Sequence, residues 1–331
     1  MLAKGEMSKK RKEKLFQLGV SAAERVLGTH ELYFCPLCGN SFDYASLIQG
    51  ELTLEHVPPK SHGGKGIILT CQSCNNKAGH TIDSAAHRRK ELTDFIRTVY
   101  HKQEGEAGLA TFEADGRKIN VLVSNDGGTT NIKILDKNND PEAVGYLQEY
   151  MKSLADSGNA VGTQFSITAR VRYHKRFSEI SDLRSAFLVC SAQFGYSYSF
   201  SRALMKVRGQ ILNPNQEILE KWYVKIKTQT DSPMLAVAEK EGIVIVSVAE
   251  RSVVLPWIGK SDTAFESTSA AIDDTNNFTV RAVPVDWPKG FVAALDRRCS
   301  LRAAAGRFSA AAPNRQVSAS VKRQASCDDD S

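Results

Sequence analysis

No run in this chain approaches the roughly 18–20 consecutive apolar residues that a membrane-spanning helix requires, so no membrane partner is expected. No apolar segment follows the charged residues 1–14 either. That argues against a secretory leader and for a reducing, cytoplasmic setting, where paired cysteines serve metals more often than disulfides. Three of the seven cysteines, Cys190, Cys299 and Cys327, have no second cysteine at ligand spacing. Cys190 lies in an apolar run from Ala186 and is expected as a small buried hydrophobe. No internal repeat is detectable, and beyond about residue 105 no catalytic motif stands out. A length of 331 residues points to two domains and tails, and the formal charge of +6 points mildly to a polyanionic partner.

What the chain does have is concentrated near its start. Cys35-Pro36-Leu37-Cys38 and Cys71-Gln72-Ser73-Cys74 bracket Leu54-Glu55-His56-Val57-Pro58-Pro59, and the second pair runs into Asn75, Asn76, Gly79 and His80. Thiolates are soft ligands that suit Zn²⁺, and two such pairs close a tetrahedral shell with no open position. The four cysteines therefore read as a structural zinc site, which puts any chemistry between them. His56 is the natural proton acceptor, because a neutral imidazole titrates closest to working pH.

Around this cluster, Lys4, Lys9, Lys10, Arg11, Lys12 and Lys14 form a basic arm. It leads into a helical pattern with apolar residues at Leu15, Leu18, Ala22 and Val26. The arm is either a solvated flexible end or a phosphate contact. Residues 52–56 have strand composition and stop at Pro58-Pro59, a glycine-rich loop covers 60–66, a second strand is expected at 67–70, and a helix runs from Ser73 to about Tyr100. Beyond it, Asn125-Asp126-Gly127-Gly128 is hairpin-turn chemistry. Helices are expected at 141–155, 180–194 and 202–212. Strands are expected at 118–123, 131–135, 163–173, 222–227, 234–238, 243–248 and 278–283. Tyr196, Tyr198 and Phe200 read as one face of a strand or a core edge. The expected division is a basic arm and helix over 1–30, a cysteine-bracketed module over 31–101, a mixed α+β domain of open role over 105–295 and a disordered tail over 297–331.

The order of CxxC, acidic-His at a strand end, Gly-Gly loop and CxxCN opening a helix resembles the HNH nucleases of the ββα-metal fold, over roughly residues 35–83. The resemblance implies a metal-dependent endonuclease that hydrolyses DNA phosphodiester bonds by a one-metal mechanism, with RNA as a further candidate substrate. It implies His56 as general base and Glu55 as an oxygen ligand of catalytic Mg²⁺ or Mn²⁺. The last ligand would be Asn75, or its rival His80, with Asp83 three residues on. The middle asparagine of the family has no counterpart between Pro58 and Thr70. The resemblance also implies work in restriction, phage defence or a mobile element, with a homodimer as one way to cut both strands. Two other readings stand beside it: a plain zinc ribbon, and a zinc-stapled module that binds nucleic acid or protein without cutting.

Overall fold

A computed structural model describes residues 2–126, 129–135, 139–157, 165–220, 222–226, 233–248, 251–257, 277–280, 282–288 and 317–320. Its contacts divide the chain into two compact units, one made of residues 1–84 together with 176–331, the other of residues 85–175. The second unit is an insertion in the first. This differs from the sequential division expected around residues 101–105.

The first unit begins with α1 (Leu2–Leu27), so the basic arm is the leading half of a helix that buries Leu15, Phe16, Val20, Ala22 and Ala23. Next come β1 (Tyr33–Phe34), β2 (Ser41–Phe42) and α2 (Tyr44–Gln49), the last capped by Asp43, whose carboxylate accepts from Ser46 N. β3 (Leu52–Val57) and β4 (Lys65–Cys71) form an antiparallel hairpin, and α3 (Gln72–Ala78) leaves directly from Cys71. Gly64 serves the hairpin loop: a Cβ there would lie 1.5 Å from the carbonyl oxygen of Pro58, so only glycine lets the loop fold back. A π-helical turn, Gly79–Asp83, follows α3.

The inserted unit holds α4 (Ser84–Phe95), β5 (Gly105–Ala114), β6 (Arg117–Asp126), β7 (Thr129–Ile134), α5 (Pro141–Ser157) and β8 (Phe165–Thr168). Its antiparallel sheet runs β7-β6-β5-β8. Asp126 pairs with Thr129, as the Asn-Asp-Gly-Gly sequence led one to expect, with Gly127 and Gly128 themselves outside the described residues. Alternate residues of β6 are buried, and Phe112, Val121, Val123 and Leu147 form a separate core. Of the expected strand over 163–173, residues 165–168 form β8, residues 169–173 do not continue it, and residues 163 and 164 lie outside the described residues.

The chain re-enters the first unit through α6 (Lys175–Phe194), then α7 (Tyr196–Ser199), α8 (Met205–Leu212), β9 (Tyr223–Ile226), β10 (Met234–Ala238), β11 (Ile243–Val248), β12 (Arg251–Pro256), β13 (Asn277–Val280), β14 (Val283–Val285) and β15 (Val317–Ser320). A sheet of order β13-β15-β9-β12-β11-β10-β14 forms from them. Every residue of α6 from Ser178 to Phe194 is buried, the charged Glu179, Asp182 and Arg184 included. Its Leu183, Phe187 and Cys190 join one core with Tyr33, Leu52, Ile68 and Cys71, which is why the cysteine-bracketed segment and the C-terminal half fold as one body. Tyr196 and Tyr198 stand in a helical turn rather than a strand, both fully buried. The expected disordered tail lies outside the described residues except for β15, which is a paired strand, and Cys299 and Cys327 also lie outside them. Among the described residues no helix is long and apolar enough to cross a membrane.

Candidate functional site

The first cysteine pair sits on the turn after β1. Gly39 N donates to Cys35 O at 2.8 Å and Cys35 N to Asn40 O at 2.9 Å, and the turn needs Gly39 at φ +81°. The second pair straddles the β4–α3 junction, where Cys71 Sγ accepts from Cys74 N at 3.5 Å while Cys71 N donates to Cys35 Sγ at 3.4 Å. All four sulfurs lie within 4.8 Å of one another, with Cys38 and Cys71 at 3.7 Å. A zinc tetrathiolate with Zn–S of about 2.3 Å has sulfur–sulfur edges of about 3.8 Å, so the donor set fits zinc. Contact among the four thiols, first with Cys35, brings the Cys71 pKa down to about 7 and lowers that of Cys38, while those of Cys35 and Cys74 are pushed up. Among the described residues no other three His, Cys, Asp or Glu side chains gather in this way.

Two further bonds fasten this knuckle to its surroundings. Tyr33 Oη donates to Leu69 O at 2.7 Å, on the second hairpin strand. Tyr196 Oη accepts from Phe34 N and donates to Phe34 O, both at 2.9 Å, so a residue far along the chain completes the hydrogen bonding of β1.

Between the cysteine pairs, β3 runs toward its end with Glu55 opposite Ile68 and His56 opposite Gly66, so the register slips by one residue between them. Adjacent strand residues face opposite sides, and this bulge is the local device that re-aims one of them. Glu55 is 4 % exposed, whereas His56 is half-buried. Partial burial, and then the positive charges of Lys60 and Arg11, push the His56 pKa below the ordinary histidine value of 6.5. A neutral imidazole edged by two cations is the result.

Asn75 faces the same hairpin: its Nδ2 donates to Thr53 Oγ1 at 3.0 Å, and Thr53 shares a strand face with Glu55. His80 is exposed, in the π-helical turn, and joins no ligand group among the described residues. The expected pairing of Glu55 with a divalent cation meets a different arrangement. Glu55 Oε2 accepts from Arg184 Nη2 at 2.5 Å and from Thr70 Oγ1 at 3.0 Å. Arg184 Nη1 donates to Asp83 Oδ2 at 3.1 Å, and Asp83 Oδ1 accepts from Ser181 Oγ at 2.7 Å. Burial pushes the Glu55 carboxyl up while Arg184 opposes the rise. Burial also works to strip the Arg184 proton, and the charges of Glu55, Asp83 and Cys74 outweigh it. A carboxylate already neutralised by a guanidinium does not fit the role of an open ligand for a divalent ion.

Sequence reasoning did not reach Arg184, which is 129 residues from Glu55 and outside the motif. The available signal was an arginine at the head of the apolar run Ala186–Cys190 of α6, with Ser181 one helical turn before it. Comparison with known proteins finds that residues 35–91 match the family model described as HNH endonuclease. No curated protein and no solved structure matches the chain.

Proposed function

With residues 35–91 belonging to the HNH endonuclease family, we propose that the chain hydrolyses DNA phosphodiester bonds with His56 as general base and Zn²⁺ as the structural ion of Cys35, Cys38, Cys71 and Cys74. The observation that carries this reading is His56 itself, half-buried at a bulged strand end and held toward its neutral form beside Lys60 and Arg11. In the proposed step a water loses its proton to the imidazole while its oxygen bonds to phosphorus. The bond to the 3′ oxygen breaks, and that oxygen takes a proton from solvent. Lys60 and Arg11 are both exposed and can hold the phosphate by charge, which also keeps His56 unprotonated until it acts. Mg²⁺ or Mn²⁺ at Glu55 and Asn75 does not enter the step, because Glu55 is occupied by Arg184.

That same occupation favours one other reading, a zinc-stapled module that binds nucleic acid without cutting it. Supercoiled plasmid incubated with zinc-loaded protein, with Mg²⁺, with Mn²⁺ and with neither, separates the two. Nicking by the wild type that is absent in His56→Ala supports hydrolysis. Equal products from both proteins, or none from either, leave the binding module.

A further inference from the structure

We propose that Arg184 is the resident cation of this HNH module: a guanidinium fixed between Glu55 and Asp83 takes the position where a divalent ion is expected, so the protein holds no such ion at Glu55. The inference rests on the HNH reading for what the position of Glu55 and the missing middle asparagine signify.

Three observations carry it. The first is geometry: both Nη atoms of Arg184 are used, one on each carboxylate, at 2.5 and 3.1 Å, and the side chain is 2 % exposed. A planar fork between two carboxylates is an arrangement that a guanidinium makes and holds well. Its location also matters, since Glu55 lies on the face of β3 that Asn75 approaches through Thr53, the space between hairpin and helix. Second, the cation is not on a mobile lid. α6 is buried along its length from Ser178 to Phe194, and Ser181, one turn before Arg184, binds the same Asp83. Such a helix does not withdraw without unpacking the core it shares with Leu52, Ile68 and Cys71. Third, the sequence has already lost a part of the site, since no asparagine stands between Pro58 and Thr70.

Glu55, Asp83 and Arg184 together carry a formal charge of −1, and without the guanidinium the two carboxylates carry −2, the charge that one divalent ion cancels. Arg184 is thus a positioning residue. It fixes Glu55 and the π-helical turn bearing Asp83, and it is too deeply buried to touch a phosphate.

Mn²⁺ is the probe. Crystals of the zinc-loaded full-length protein, soaked in Mn²⁺, are examined by anomalous scattering at the manganese edge, and solution binding is followed by electron paramagnetic resonance. The wild type is expected to show no manganese at Glu55. Arg184→Met is expected to gain one bound Mn²⁺, and at about 100 times its dissociation constant the ion should raise the melting temperature of that variant by roughly 5–10 °C, with no such rise in the wild type. Manganese at Glu55 in the wild type overturns the proposal, whatever the variant does. So does a folded Arg184→Met that neither binds Mn²⁺ nor is stabilised by it. If Arg184→Met does not fold, the anomalous map of the wild type decides alone. The plasmid assay reads the other question. A wild type that nicks DNA without an ion at Glu55 supports both proposals; one that nicks nothing and holds no ion there overturns hydrolysis only.

Discussion

Two charged clusters lie in the first unit, and they solve the same problem in opposite ways. Cys35, Cys38, Cys71 and Cys74 bring four soft donors to within 4.8 Å of one another, a set that could hold a metal ion. Glu55 and Asp83 are held by a cation that the chain itself supplies. With zinc bound as proposed, the first cluster would make folding depend on metal supply and on pH, because its thiols must lose protons to bind. The second makes the hairpin depend on a helix encoded more than a hundred residues later.

The sharpest way to break the comparison is to remove the zinc. Structural zinc contributes on the order of 10–16 kcal/mol of apparent folding energy at neutral pH, so Cys38→Ser, or chelation of the wild type, should leave the first unit unfolded. Near-ultraviolet circular dichroism with zinc quantitation checks it, and a native spectrum without zinc would remove the dependence claimed for the cysteines. Next in size is the other cluster. Arg184→Met should cost about 3–5 kcal/mol, since it leaves Glu55 buried, and Asp83 half-buried, without their guanidinium. Glu55→Gln added to Arg184→Met should recover part of that loss, and urea melts of the single and double variants measure the coupling. Strictly additive losses would mean that the pair is not what binds the hairpin to α6.

Tyr196→Phe tests the seam between the two halves of the first unit. It leaves the N–H and C=O of Phe34 without their partner, so a loss of about 1–3 kcal/mol is expected in the same urea melts. The smallest effect concerns protonation. His56 should titrate below 6.5, followed by its imidazole proton resonances, and Lys60→Glu or Arg11→Glu should each move it upward. A base with a depressed folded pKa binds fewer protons folded than unfolded. Its contribution is therefore complete above about pH 6.5 and is lost as pH falls through the depressed value. An acidic limb of any cleavage profile should lie below 6.5 for the same reason.

Much of this site was legible because its parts are local. The spacing of Cys35, Cys38, Cys71 and Cys74, the strand ending at Pro58 and the helix opening after Cys71 are all fixed by neighbours in sequence, and the hairpin and helix follow from them. The strands over 234–238 and 243–248 were legible for the same reason, being short apolar runs flanked by turns. What could not be read were partnerships across long separations. Nothing near Glu55 announces Arg184, and nothing near Phe34 announces Tyr196, because an arginine in a helix and a tyrosine in a turn look alike whatever they face. Of the two readings of the aromatic triplet, a place in the core is what the structure shows, and the strand is not. Spacing of two suggests a strand, but Tyr196 and Tyr198 lie in a single helical turn whose sides are both enclosed, so periodicity carried no information there.

The separation of 129 residues between Glu55 and Arg184 also sets an order in time. The hairpin and the first cysteine pair leave the ribosome well before α6 exists. At about 5–20 residues per second, the carboxylate of Glu55 waits roughly 6–26 s for its guanidinium, while the inserted unit is being made. During that interval the nascent chain carries an unneutralised Glu55 beside His56, and only completion of α6 gives the module its final charge.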